Sequence, residues 1–274
     1  MLFYVIINPR SAEIGALRKD GIKMNYGLQL YSVRDITGTD FEGTLRQVAE
    51  MGYTMVEPAG FFGHKAEDVS AMLKHYGLKC CSTHTGFPLL KDSFKETLEY
   101  HKTIGCENII LPSAPWNTRE ELDETVRLIN QWIPAIKDAG MKLHYHNHSH
   151  EFLKNSDGLI AHDVLSENTD ILFELDTFWV YNARLDPVEM MEKYKDRLEF
   201  IHLKDGIMQD WSTPGARAVG KSVGSGDAPI LDIRKKAIEM GVSMVIESEG
   251  LDPTGLEEVK RCIDFLKSVD ESEK

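Results

Sequence analysis

From Met24 onward, short apolar runs alternate with amphipathic segments, and this alternation constrains the fold more than any other feature of the chain. Short apolar runs bounded by turn residues read as buried strands, whereas apolar residues recurring at i, i+3, i+4 and i+7 read as helices. The strands are expected at 26–31, 54–57, 79–84, 108–111, 141–147, 171–176, 199–203 and 243–247. Helix signals lie between them. Thr39 and Glu42, Ser93 and Glu96, and Thr118 and Glu121 have capping-box spacing. Asp186 followed by Pro187 reads as an N-cap with proline at the first helical position. Gly52, Gly77 and Gly105 read as helix stops. Pro134 marks a kink or a break in a long helix. Residues 159–165 read as a weak helix, and 220–226 as a glycine-rich loop leading into another.

Strict alternation of strand and helix demands a parallel sheet, and eight such units within about 245 residues suit a single closed (β/α)8 barrel of the α/β class. An open doubly wound sheet usually has fewer strands, and no GxGxxG turn follows the first run. The 274 residues, 42% hydrophobic and 27% charged, fit one large globular domain. Residues 24–268 are expected to form the barrel, with 1–23 an N-terminal extension outside the core fold and 269–274 a charged tail.

Charge and cysteine usage narrow the partners. Lys plus Arg is 31 and Asp plus Glu is 44, a net charge of −13, so the chain repels phosphate backbones and no nucleic-acid partner is expected. No run of about 18 apolar residues is present, so no membrane span is expected. The N-terminus lacks the basic start and small-residue cleavage site of a secretory signal. Cys80, Cys81, Cys106 and Cys262 show no CxxC spacing and are expected as reduced thiols. These features point to a cytoplasmic protein. A homo-oligomer stays open, since no helix is unusually apolar.

Barrel enzymes carry their chemistry at the C-terminal ends of the strands. Those ends are Tyr31, Glu57, His84, His146, Asp176, His202 and Glu247, a set rich in metal-ligand types. His146, Asp176, His202 and Glu247 sit on four successive strands and can converge on one divalent cation. Carboxylates favour Mn²⁺ or Mg²⁺ and imidazoles favour Zn²⁺, Fe²⁺ or Co²⁺, so the metal's identity stays open. In the run His144 to Glu151, strand alternation puts His144, His146 and His148 on one face, with His144 deeper and His150 beyond the strand. Lys204 can stabilise a developing enolate oxygen or form a structural ion pair. Glu249 competes with Glu247 for its role. Tyr31, Phe87, Phe178 and Trp179 can wall a sugar-sized pocket, with Trp179 the best placed. Arg34 and Arg217 are isolated candidates for binding a phosphate.

The segments GLQLYSVRD from Gly27, MVEPAGFFG from Met55, STHTGF from Ser82, KLHYHNHSHEF from Lys142, ELDTFWV from Glu174, DPVEMMEKYKDRLEFIHLKDG from Asp186, VGSGD from Val223 and VIESEG from Val245 carry a resemblance. The chain resembles the xylose-isomerase-like TIM barrel superfamily of sugar isomerases, epimerases and related dehydratases, which also includes the endonuclease IV type of repair enzyme. The resemblance spans almost the whole chain after Met24, and ELDTFW and IHLKD are its most specific pieces. It implies one divalent metal ion held by Glu, Asp, His and Glu from four strands. The last three fall on Asp176, His202 and Glu247, while His146 stands where the first glutamate is usual.

That departure bears on mechanism, because the superfamily's epimerases swap a proton between two metal-bound glutamates. With His146 in place, Glu247 remains the general base, and His148 or Lys204 is the expected partner acid. Tyr31, Glu57, His84 and Trp179 are expected to bind substrate. The implied activity is isomerisation or epimerisation of a small sugar or keto-sugar through an enediolate. A lyase of the inosose-dehydratase kind is the alternative, and a non-catalytic sugar-binding barrel the last. Mn²⁺, Zn²⁺, Co²⁺ and Mg²⁺ all remain open as the cofactor.

Overall fold

A computed structural model describes residues 24–273. The expected extension at 1–23 lies outside the described residues.

Among the described residues ten strands form, β1 (Gly27–Gln29), β2 (Met55–Glu57), β3 (Lys79–Cys80), β4 (Thr83–His84), β5 (Asn108–Leu111), β6 (Lys142–His146), β7 (Leu172–Asp176), β8 (Leu198–Ile207), β9 (Val219–Lys221) and β10 (Ser243–Glu247). Their spatial order is β3-β2-β1-β10-β8-β7-β6-β5-β4, with β9 paired only to β8. Both ends of that order are halves of one extended segment, residues 79–84, so the ring closes through it. Every rung around the ring is parallel. This is the single (β/α)8 TIM barrel that the alternation predicts.

The helices cover the outside, and the core lies between them and the strands. Leu28, Val56, Ile109, Leu111, Tyr145, Phe173, Ile201, Leu203 and Ile246 face outward into it. The barrel interior begins as a thin apolar floor of Cys81, Phe200, Val245 and Met55. Cys80 and Cys81 therefore point to opposite faces, as strand alternation requires, and all four cysteines are free and buried. Gly27 belongs to the same floor, where a Cβ would come within 3.2 Å of Val245.

Several local expectations change. The first strand stops at Gln29, and Leu30–Val33 form a 3-10 turn, so Tyr31 lies past the strand end. Asp40, not Thr39, caps helix Phe41–Met51, its carboxylate accepting from the Gly43 N–H. Ser93 sits at the N-cap of Phe94–Ile104 without a side-chain cap bond. The Thr118–Glu121 capping box is complete, and its helix, Arg119–Asp138, runs through Pro134 without a break. Asp186 caps Pro187–Lys193 as expected. The strand at 79–84 splits because its ladder changes neighbour midway; the Asn108 amide donates to the Cys81 carbonyl at 2.8 Å in place of a rung. β8 runs four residues past Leu203 and pairs antiparallel with β9, which takes residues expected to be loop. The crossing there needs Gly206, since a Cβ would strike the Val219 carbonyl and the Phe178 ring. The last helix, Gly255–Ser272, continues beyond the boundary at 268, and Asp270 and Glu273 bind the buried Arg234.

Candidate active site

Inward-facing residues alternate along each strand, so the last two inward positions of neighbouring strands stack in layers above the apolar floor. They are His144 and His146 on β6, Glu174 and Asp176 on β7, His202 and Lys204 on β8, and Glu247 on β10. Register holds them level, with His146 opposite Glu174, Asp176 opposite His202, and Lys204 opposite Glu247.

His146, Asp176, His202 and Glu247 are all buried, and each offers one ligand atom within 4.8 Å of the others. His202 Nδ1 lies 3.2 Å from Glu247 Oε2 and 3.8 Å from Asp176 Oδ2. His146 Nε2 lies 3.5 Å from Asp176 Oδ2. Neither ring nitrogen of His146 has a hydrogen-bond partner, and neither has Asp176 Oδ2. Each such orphaned buried atom costs about 1–3 kcal/mol. His146 Nε2 and Asp176 Oδ2, unpartnered and beside His202 and Glu247, fit a bound divalent cation, and two imidazoles with two carboxylates suit Zn²⁺, Mn²⁺ or Co²⁺.

The surroundings hold these atoms in place. Asp176 Oδ1 accepts the Trp179 N–H at 2.9 Å, capping helix Thr177–Asn182 and leaving Oδ2 turned to the centre. Asn147 clamps the Asp176 backbone from both sides, at 3.1 and 3.2 Å. His202 Nε2 lies 2.7 Å from Glu57 Oε1. Glu57 in turn accepts from the Gln29 amide at 2.7 Å and from the Ser82 hydroxyl. A carboxylate on one ring nitrogen fixes the imidazole and directs its other nitrogen to the metal position. His84 Nε2 bridges Glu174 Oε2 at 2.9 Å and Glu57 Oε1 at 3.3 Å.

The electrostatics describe a cation-seeking pit. Burial alone lowers an imidazole, yet Glu174, Glu247 and Glu57 hold His202 well above its ordinary value. Burial pushes His146 well below, with the His202 and His84 charges adding to it. Burial and the Glu57 charge raise Glu174 to about 7. Burial works against ionised Glu247, but Lys204 and His202 beside it pull its carboxyl well below the usual range.

Above this centre opens a cavity of about 530 Å³, lined by Tyr31, Ala59, His84, Gly86, Pro112, His146, His148, Trp179, Glu247 and Glu249. Tyr31, His84 and Trp179, expected to touch substrate, are on its wall. Glu57 is not. It is 0% exposed and wholly engaged with His202, Gln29, Ser82 and His84, so the expectation of substrate contact is corrected to one of orienting His202. Lys204 is also 0% exposed. Its ammonium donates to Glu247 Oε2 at 3.0 Å and Glu249 Oε1 at 2.6 Å and lies 4.4 Å from the Trp179 ring centre. Of its two expected arrangements, the ion pair is the one present, and Lys204 does not line the cavity. His148 lines the wall, but burial, with His146 adding to it, lowers its imidazole to about 3, so at neutral pH it carries no proton to give as an imidazolium.

His144 lies deeper, bonded to Asn108 Oδ1 at 3.1 Å, and His150 stacks on Trp116 near the surface. Phe87 and Phe178 are buried away from the cavity. Arg34 donates to the carbonyls of Tyr31 and Glu249. Glu174 was not picked out from the sequence, whereas Glu249, named there beside Glu247, lines the wall with it. Glu174 stands two residues before Asp176, and the period of two would have found it.

Residues 45–269 match the family described as xylose isomerase-like TIM barrel. An inosose dehydratase of Geobacillus kaustophilus is 26% identical, over 75% of this chain and 79% of that protein. A solved sugar phosphate isomerase/epimerase from Parabacteroides distasonis aligns over 90% of this chain and 95% of its own, with a TM-score of 0.74 and 26% identity. The IolI protein, solved with a zinc atom, aligns over 91% and 99%, with a TM-score of 0.68 and 15% identity.

Proposed function

This chain belongs to the xylose isomerase-like TIM barrel family, and on that premise we propose that it is a divalent-metal-dependent enzyme that moves a proton at the carbon beside a carbonyl of a small sugar or keto-sugar. The observation that carries this reading is the convergence of His146, Asp176, His202 and Glu247, with orphaned atoms, at the bottom of a sugar-sized cavity. Those four residues would hold the cation, which when bound supplies Lewis-acid polarisation of the substrate's carbonyl and hydroxyl oxygens. A protein of the same fold, solved with a zinc atom, is consistent with a metal in this barrel.

The chain's own groups do the rest. Glu247 faces the cavity, and among the described residues only its Oε2 is hydrogen-bonded, to His202 and Lys204. Its free Oε1 is the base that takes the proton. The buried ammonium of Lys204 keeps Glu247 ionised and ready, at the expense of basicity, so the substrate must be strongly acidified for transfer to occur. Glu57 fixes His202, and Asn147 fixes Asp176. Tyr31 and Trp179 wall the ring of the substrate, and neutral His148 offers hydrogen bonds to its hydroxyls, while His84 lines the wall with its Nε2 held by Glu174 and Glu57, which against its burial keep its imidazole above the ordinary value.

With His146 in place of a second glutamate, Glu247 is the carboxylate of the ligand set that faces the cavity. One base suffices to shift a proton between neighbouring carbons, which is isomerisation. Epimerisation needs a donor on the opposite face, and Glu249, held by the same Lys204 ammonium as Glu247, stands beside that base. The similarity to an inosose dehydratase favours a second reading, in which the same proton removal is followed by loss of a β-hydroxyl. The shared step is tested by incubating Mn²⁺-loaded protein with a panel of ketoses and inososes in D₂O and measuring deuterium uptake at the carbon next to the carbonyl. Exchange is expected with at least one, and Glu247→Gln should slow it by about 10²–10⁴. No exchange with any, or unchanged exchange in the variant, contradicts the reading.

A further inference from the structure

Resting on that reading and sharpening its substrate class, we propose that the sugar this site accepts carries no phosphate group. A (β/α)8 barrel that binds phosphorylated substrates commonly cradles the phosphate on backbone N–H groups in the loops after its seventh and eighth strands, at the N-terminus of a helix. Here those strands are β8 and β10, and both positions already hold a carboxylate of the chain itself.

After β8, the glycine loop that would form the cradle closes around Asp205, which is 1% exposed. Asp205 Oδ2 accepts the N–H groups of Gly224 at 2.9 Å and Gly226 at 2.8 Å. Its Oδ1 accepts those of Gly206 at 2.8 Å and Ala228 at 3.1 Å. Four amides thus converge on one resident anion, and the fit leaves no room, since a Cβ at Gly226 would strike the carboxylate. After β10, the N-terminus of helix Gly255–Ser272 is filled as well. Gly255 N–H donates to Asp35 Oδ2 at 3.1 Å, and Glu257 N–H to the Thr254 hydroxyl at 3.3 Å. A third amide end at the mouth, that of Thr177–Asn182, is capped by Asp176.

Side chains do not replace these donors. Among the described residues, no arginine or lysine lines the 530 Å³ cavity. Lys204 beneath it is spent on Glu247 and Glu249. Arg34 is turned to two backbone carbonyls and the Tyr31 ring. Two carboxylates, Glu247 and Glu249, stand on the wall itself. A phosphate dianion entering here would lose its hydration, meet repulsion from Glu249, and find on the wall no arginine or lysine and, in His84, an imidazole already held between Glu57 and Glu174. A neutral polyhydroxy ketone meets neither penalty and finds hydrogen-bonding imidazoles and aromatic walls.

The test is calorimetric titration of the Mn²⁺-loaded full chain with matched pairs, D-fructose and its 6-phosphate, D-ribulose and its 5-phosphate, together with inorganic phosphate added to the metal-free chain. The phosphate is expected to strengthen binding by less than about tenfold in each pair, and inorganic phosphate to bind no tighter than about 1 mM. A phosphorylated member bound more than about tenfold tighter, or inorganic phosphate bound below about 1 mM, overturns the proposal. Where neither sugar of a pair binds, the inorganic phosphate titration decides alone. The deuterium-exchange assay run on the same pairs separates this proposal from the reading beneath it. Exchange that prefers the phosphorylated sugars overturns this proposal and leaves the proton-transfer chemistry standing. Absence of all exchange removes the chemistry, while the phosphate titration still decides the charge of the ligand.

Discussion

Lys204 is the residue on which the site's charge balance turns. It is fully buried, and its ammonium meets Glu247 at 3.0 Å, Glu249 at 2.6 Å and Asp176 at 3.6 Å. Removing one partner from a buried ionic group leaves uncompensated charge, at a cost of about 3–5 kcal/mol. Lys204→Met should therefore lower the stability of metal-free protein by about that amount in urea unfolding, and Mn²⁺ should restore part of it by supplying positive charge to Glu247 and Asp176. A loss below about 1 kcal/mol would show that Lys204 does not neutralise the cluster. At this scale the sequence was informative about residue types and poor about roles. Strand ends alone picked out His146, Asp176, His202 and Glu247. They also put Glu57 in contact with substrate, and the sequence left Lys204 open between an enolate oxygen and an ion pair. Whether an inward side chain reaches the cavity or is buried beneath it depends on how many layers lie above it, and periodicity gives direction without height.

At the scale of elements, the helix Ala161–Asn168 seats a histidine where a hydrocarbon would be ordinary. His162 is sandwiched between Phe152 and Phe173, at 4.5 and 4.7 Å between ring centres. Its Nδ1 lies 3.0 Å from the Tyr194 hydroxyl, and its Nε2 has no partner. Burial, with Lys193 and Arg197 adding to it, lowers the imidazole to about 3. The folded value is below the unfolded one of about 6.5, so the stability is whole above pH 6.5 and is lost as pH falls toward 3. At pH 5 the loss from this one group is about 2 kcal/mol. His162→Phe should shrink by that amount the difference in unfolding free energy between pH 7.5 and pH 5. Equal losses in both proteins would mean that His162 takes up its proton in the fold. Most elements were legible because capping, glycine stops and period matched one another, as at Thr118 and at Asp186. Two that changed, the split strand at 79–84 and the long β8, turn on hydrogen bonds to distant partners. The Asn108 amide and the β9 edge supply them, and no local pattern encodes either.

For the whole molecule, the barrel brings four strands' worth of ligand atoms to one point, and this convergence is the central claim. The ring is locked on its far side by Arg234, which binds Tyr26 before the first strand and Asp270 and Glu273 at the end of the last helix. The alternation made the ring legible from the sequence. It did not show that the glycine loop after β8 would fold around Asp205, because that loop's content is set by four amides meeting one carboxylate. A cation at the centre would bind the folded chain and not the unfolded one, so it should raise the melting temperature, and chelation should lower it.

Metal content measured by elemental mass spectrometry, after chelation and refilling with Mn²⁺, tests the claim most directly. The account predicts about one ion per chain in the wild type and a loss of about tenfold or more in both His202→Ala and His146→Ala, with each variant shown folded by circular dichroism. No metal in any preparation, or full occupancy in folded His146→Ala, would contradict it.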